Sequence, residues 1–126
     1  MKYAHPDVLD NGPAFIRNNA TRVLLVPSFH YAMAYAEALA AAVLSAAVSP
    51  ADFTLSDAGT GRQLVFAGLT ANASASMVSS TSQVVFTDGA SRILWVDDQT
   101  KVQAIAAGQP YKLPQLIYTV PQPVQR

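Results

Sequence analysis

Short apolar runs separated by polar breaks recur along this chain, and the clearest case is the stretch Val84–Asp98. Two β-prone runs, Val84-Val85-Phe86-Thr87 and Arg92-Ile93-Leu94-Trp95-Val96, flank the break Asp88-Gly89-Ala90-Ser91. β-Branched and aromatic side chains suit a pleated, half-buried surface, and an Asp-Gly break between such runs predicts a β-hairpin. The stretch carries the single tryptophan of the chain, Trp95, which is expected in a core. A second hairpin is predicted where Asp52-Phe53-Thr54-Leu55-Ser56 and Arg62-Gln63-Leu64-Val65-Phe66 flank the turn cluster Asp57–Gly61.

The remaining elements follow from the same pattern. Residues 1–20 form an N-terminal arm, in which Asn11-Gly12-Pro13 starts a short helix ended by Asn18-Asn19. Thr21–Val26 predicts a strand that Pro27 terminates, because proline has no N–H for a ladder. Tyr31–Ala42 is rich in helix formers, with Tyr31, Tyr35 and Leu39 at helical spacing, and predicts a short helix followed by a strand over Val43–Val48. A strand is the competing reading of that helical stretch. Leu69–Met77 alternates small polar and small apolar residues, as an outer strand does. Val78–Ser82 reads as a loop and Asp97-Asp98 as a turn, and Val102, Ala104 and Ala106 alternate at period two. Gly108-Gln109-Pro110 reads as another turn, Pro114–Val120 as the last strand, and 121–126 as a C-terminal tail. About eight strands result, with 21–120 as the β-domain. The fold class expected is mainly β: an antiparallel β-sandwich or jelly roll with a short helix near the N-terminus.

Composition changes the picture in one respect. Of 126 residues, 51% are apolar and 13% are charged. That charged share is about half the usual one for soluble domains. Interface cores are depleted in charge, so the composition suits a subunit whose surface is covered by partners. A compact neutral domain is the plainer explanation. The formal net charge is zero, which gives no basic excess to neutralise phosphates and argues against nucleic-acid binding. Without cysteine there is neither a disulfide nor a thiolate nucleophile, which favours a reducing compartment. Met1-Lys2-Tyr3-Ala4-His5 does not open a signal peptide, and the Ala-rich stretch 32–48 is too short for a membrane span.

Candidate chemistry is sparse. His5, with Asp7 and Asp10, sits in a short proline-kinked segment, where exposure to solvent is a better account than metal ligation. His30 lies between Phe29 and Tyr31, as a surface or interface histidine would. No Gly-x-Ser-x-Gly elbow activates a serine, Asp97 and Asp98 would point to opposite faces of a strand, and Gly59-Thr60-Gly61 lacks a phosphate loop's lysine. Arg62 and Arg92 each follow a glycine turn and suit edge protection, a salt bridge or an acidic partner surface. No catalytic, cofactor-binding or metal-ligating residue is assigned, and an enzyme is not expected.

The order of motifs resembles a family of small tailed-phage virion proteins. The resemblance rests on Asn18–Arg22, Tyr35–Ala38, Ala51-Asp52-Phe53, Gly61–Phe66, Phe86–Gly89 and Ile93–Val96. It continues through Gly108-Gln109-Pro110, Pro114–Tyr118 and Pro121-Gln122-Pro123. It implies a capsid decoration, or cement, protein that forms symmetric homo-oligomers and clamps neighbouring capsomers of the major capsid protein. It places the protein on the virion surface after assembly in the bacterial cytoplasm, with neither membrane nor nucleic acid as partner. No catalytic residue comes with the family. Terminal arms, 1–11 and 120–126, suit ordering on a neighbour. A head–tail connector, a tail component or a head-fibre base with a host- or sugar-binding role is the alternative, for which Phe29-His30-Tyr31 with Tyr35 is the candidate aromatic cluster.

Overall fold

Three continuous apolar runs, Val23–Val26, Val84–Phe86 and Ile93–Val96, become the central strands of one sheet. The structure is a computed structural model that describes residues 3–4, 12–57, 61–77, 82–98 and 105–121. In chain order the elements are β1 (Tyr3–Ala4), α1 (Pro13–Asn19), β2 (Arg22–Val26), α2 (Tyr35–Ala41) and β3 (Leu44–Ala47). A 3-10 turn at Pro50–Asp52 then precedes β4 (Phe53–Asp57), β5 (Gly61–Phe66), β6 (Leu69–Asn72), β7 (Gln83–Thr87), β8 (Ile93–Asp98), β9 (Pro110–Leu113) and β10 (Leu116–Pro121). The protein is mainly β with antiparallel sheets and a short N-terminal helix, compatible with a sandwich or a jelly roll.

The largest sheet has the order β1-β8-β7-β2-β3. Its middle strands are buried on both faces, which is why their sequences run apolar without alternation. Val23, Leu25, Val84, Phe86 and Trp95 join the main core. Leu24, Val26, Val85, Ile93 and Val96 form a second cluster with Phe29 and Ala38, against which Met33, Tyr35 and Ala42 pack. The loop after β2 and helix α2 therefore cover the outer face. A bulge between Phe86 and Thr87 sets Trp95 opposite Phe86 but Ile93 opposite Thr87, leaving Leu94 as the extra residue.

A three-stranded sheet, β10-β5-β4, supplies the other wall of the main core through Phe53, Leu64, Phe66 and Leu116. Aromatic rings join the two walls. Phe66 meets Phe86 edge-on at 4.9 Å, Phe86 stacks on Trp95 at 4.8 Å, and Trp95 meets Tyr118 edge-on at 5.7 Å. Strands β6 and β9 pair with each other, and Ser74 N donates to Val43 O at 2.7 Å, tying the end of that pair to the start of β3. Helix α1 packs on β4 and β5 and buries Ile16 completely.

Several expectations need correction. Asp97-Asp98 is the end of β8, opposite Val84 and Gln83, and not a turn, because the ladder with β7 carries on through both residues. Strand β6 stops at Asn72, short of the alternation's end, since its partner β9 supplies four residues; Met77 instead bridges Ile105. Pro110 opens β9 rather than closing a turn, as proline can at a strand's first residue. The last strand starts at Leu116, and helix α2 covers only part of 31–42. Ten strands are thus named among the described residues, beyond the eight expected. The loop at 78–81, the turn tip at 58–60, the alternation at 102–104 and most of both terminal arms lie outside the described residues. Tyr3–Ala4, from the N-terminal arm, pairs with β8.

Candidate interaction surface

The hairpin turn most suggestive of chemistry is a self-contained anchor. Asp88 Oδ1 accepts hydrogen bonds from the backbone N–H groups of Ala90, Ser91 and Arg92 at 2.9–3.0 Å. Its other oxygen accepts from Arg92 Nε at 2.9 Å. Burial works against the Asp88 charge, but these four donors outweigh it and hold the carboxyl well below the usual carboxylate range. Gly89 N donates to Thr87 Oγ1 at 3.0 Å. Gly89 has φ +77, and a Cβ there would stand 2.6 Å from Thr21 Oγ1, so the turn takes glycine for conformation and space alike. The Arg92 guanidinium also lies over the Phe15 ring at 5.2 Å, tying the turn to α1. Arg92 thus makes a salt bridge; the Arg62 side chain lies outside the described residues.

The other candidates are dispersed. His30 pairs with Glu37 at 3.6 Å, both well exposed. Glu37 also accepts from Ala34 N at 3.4 Å, the bond that starts α2. The aromatic group around His30 is split: Phe29 is buried, Tyr35 is half-buried against the sheet, and Tyr31 is 73% exposed. Asp97 is buried and accepts from Asp98 N at 2.8 Å. It shares a strand face with Trp95, whereas His30 precedes the helix on the opposite side of that sheet, so no carboxylate–histidine pair forms from them. His5 lies outside the described residues. No group of three His, Cys, Asp or Glu placed to hold a metal occurs among the described residues, and no helix there is long and apolar enough to cross a membrane.

What does assemble is a surface. In the three-stranded sheet, alternate residues point inward to the core, so their neighbours must face out. Register then sets Thr54, Val65 and Ile117 side by side in one row, and Ser56, Gln63 and Thr119 in the next. Gln63 Nε2 donates to Ser56 Oγ at 3.2 Å within the second row. None of the six side chains is charged. Ile117 is 45% exposed, and Val120, near the end of the same strand, is 37% exposed. These are two of the four exposed large apolar residues among the described ones, the others being Tyr31 and Leu39 on the helical side.

Sequence reasoning missed this face, although its signal was available. Thr54/Ser56, Gln63/Val65 and Ile117/Thr119 each alternate with inward apolar residues, and a solvated sheet face ordinarily carries charge at such positions. Comparison with protein-family models, with curated proteins and with solved structures gave no match to this chain.

Proposed function

We propose that the protein is a structural, non-enzymatic subunit of a tailed-phage virion. It binds the outside of the icosahedral shell and stabilises contacts between capsomers of the major capsid protein. The observation that carries this reading is the uncharged outer face of the three-stranded sheet, centred on Val65 and Ile117. Poor in charge, such a face suits a protein interface, where the central contacts exclude charged groups. Repetition of one modest contact over a symmetric shell gives avidity without a tight single interface. The resemblance of the motif order to small phage virion proteins points the same way, and the connector or fibre-base alternative finds less support because Phe29 is buried and Tyr35 half-buried.

The test uses shells lacking the protein and purified full-length chain. Wild-type protein co-sediments with such shells, while Ile117→Lys, a change at an exposed position, leaves thermal unfolding nearly unaltered and loses shell binding. Unchanged binding by that variant would remove this face from the interface, and failure of the wild-type chain to bind would remove the shell from the account.

A further inference from the structure

We propose that a second copy of this chain adds to the free edge of β10, antiparallel to it and with Tyr118 on the two-fold axis. The inference goes beyond the proposed function: it adds self-association of the chain, with a strand and a register. A sheet edge presents a row of N–H and C=O groups that template another strand, and proteins blunt their edges with short strands, charge or covering elements. The other edges among the described residues are shorter or carry charge. Strand β1 has two residues, β3 has four and is tied at its start by Ser74 and Ala75, β6 and β9 have four each with Lys112 in β9, and β4 has five and ends in Asp57. Strand β10 has six residues, Leu-Ile-Tyr-Thr-Val-Pro, with no charge, and among the described residues it pairs with β5 alone.

The occupant follows from the strand itself. An uncharged edge meets its own copy with no like charges opposed, and a chain of zero net charge adds no long-range repulsion between copies. Residues opposite each other in an antiparallel pair share a face, so a dyad must fall on a residue of the strand. Centred on Tyr118, Leu116 lies opposite Val120 of the other copy, and Ile117 opposite Thr119. Both exposed apolar residues of the strand gain a partner. Centring on Ile117 instead sets Pro114 opposite Val120, and centring on Thr119 sets Pro121 opposite Ile117; proline cannot donate to either ladder. Of these three registers only the one centred on Tyr118 gives Ile117 and Val120 each a partner other than proline, and its next pair, Gln115 with Pro121, limits its length. A dyad uses up both edges, so it closes at a dimer, and the two uncharged outer faces become one continuous face.

The absence of cysteine makes the register testable by cross-linking. Sedimentation of the full chain at micromolar concentration is expected to give a dimer. Thr119→Lys is expected to weaken it by at least about tenfold, whereas Thr54→Lys, on the far edge strand, leaves it intact. A mixture of Ile117→Cys and Thr119→Cys proteins forms a disulfide-linked heterodimer on mild oxidation, well in excess of the link either forms alone. A chain that stays monomeric overturns the proposal, as does a dimer that is indifferent to Thr119→Lys and gives no preferred cross-link. Protection of the β10 edge only in intact particles, with a monomer in solution, assigns the edge to another protein and also overturns it. Monomeric protein that still binds shells would refute this pairing while leaving the proposed function standing.

Discussion

Asp88 shows how much a single side chain holds in place. Three backbone donors and the Arg92 guanidinium converge on its carboxylate, and Arg92 in turn reaches Phe15. Hydrogen bonds to a charged group contribute about 1.5–3 kcal/mol, and stranding their donors costs further. Asp88→Ala is therefore expected to destabilise the fold by about 2–3 kcal/mol, measured by urea unfolding at neutral pH. The pH dependence has a definite sign. A carboxyl depressed in the folded state stabilises it fully above its unfolded pKa, about 4, and that stability is lost as the pH falls towards the lower folded value. Stability of the wild-type chain should drop from about pH 4 downwards, and the gap to Asp88→Ala should narrow over the same range. A gap independent of pH would mean that the carboxylate's charge contributes nothing to the turn.

At the scale of elements, local signals were legible and long-range pairings were not. The β7–β8 hairpin, the β4–β5 hairpin, α1 from Pro13 and the end of β2 before Pro27 are all written in neighbouring residues. Helix α2 begins at Tyr35 and not at Tyr31 because Glu37 caps Ala34 N and because Met33 and Tyr35 are drawn onto the sheet. Strand β9 has four residues and opens on proline, and its existence depends on β6, about forty residues earlier in the chain. Asp97 looked like a turn because two adjacent acids seldom continue a buried strand, yet the ladder to Val84 extends through it. The three strands of the outer face each show their uncharged alternation locally, but not that they are neighbours. The rows of that face exist only once β4, β5 and β10 are in register. The aromatic contacts between the walls are the element-scale test. Phe86 touches Phe53, Phe66 and Trp95, so Phe86→Ala should cost about 3–5 kcal/mol, read from chemical denaturation with Trp95 fluorescence as the probe. A loss below about 1 kcal/mol would show that the walls are held chiefly elsewhere.

The molecule combines zero net charge, few charged residues, a packed core and, among the described residues, an uncharged outer face bordered by the edge strand β10. Among the described residues the polar candidates are dispersed: Asp88 serves its own turn, His30 meets Glu37 at the surface, and Asp97 is buried in a strand. A covered subunit makes fuller use of these features than a free monomer, since an uncharged face in solution invites association. That reading fixes what the intact particle must contain. The proposed function is tested most directly by the copy number of this chain in purified virions, by quantitative mass spectrometry against the major capsid protein. A shell-binding subunit predicts copies in the hundreds, in a fixed ratio to capsomers; a single ring's worth of copies, or none, would contradict the account.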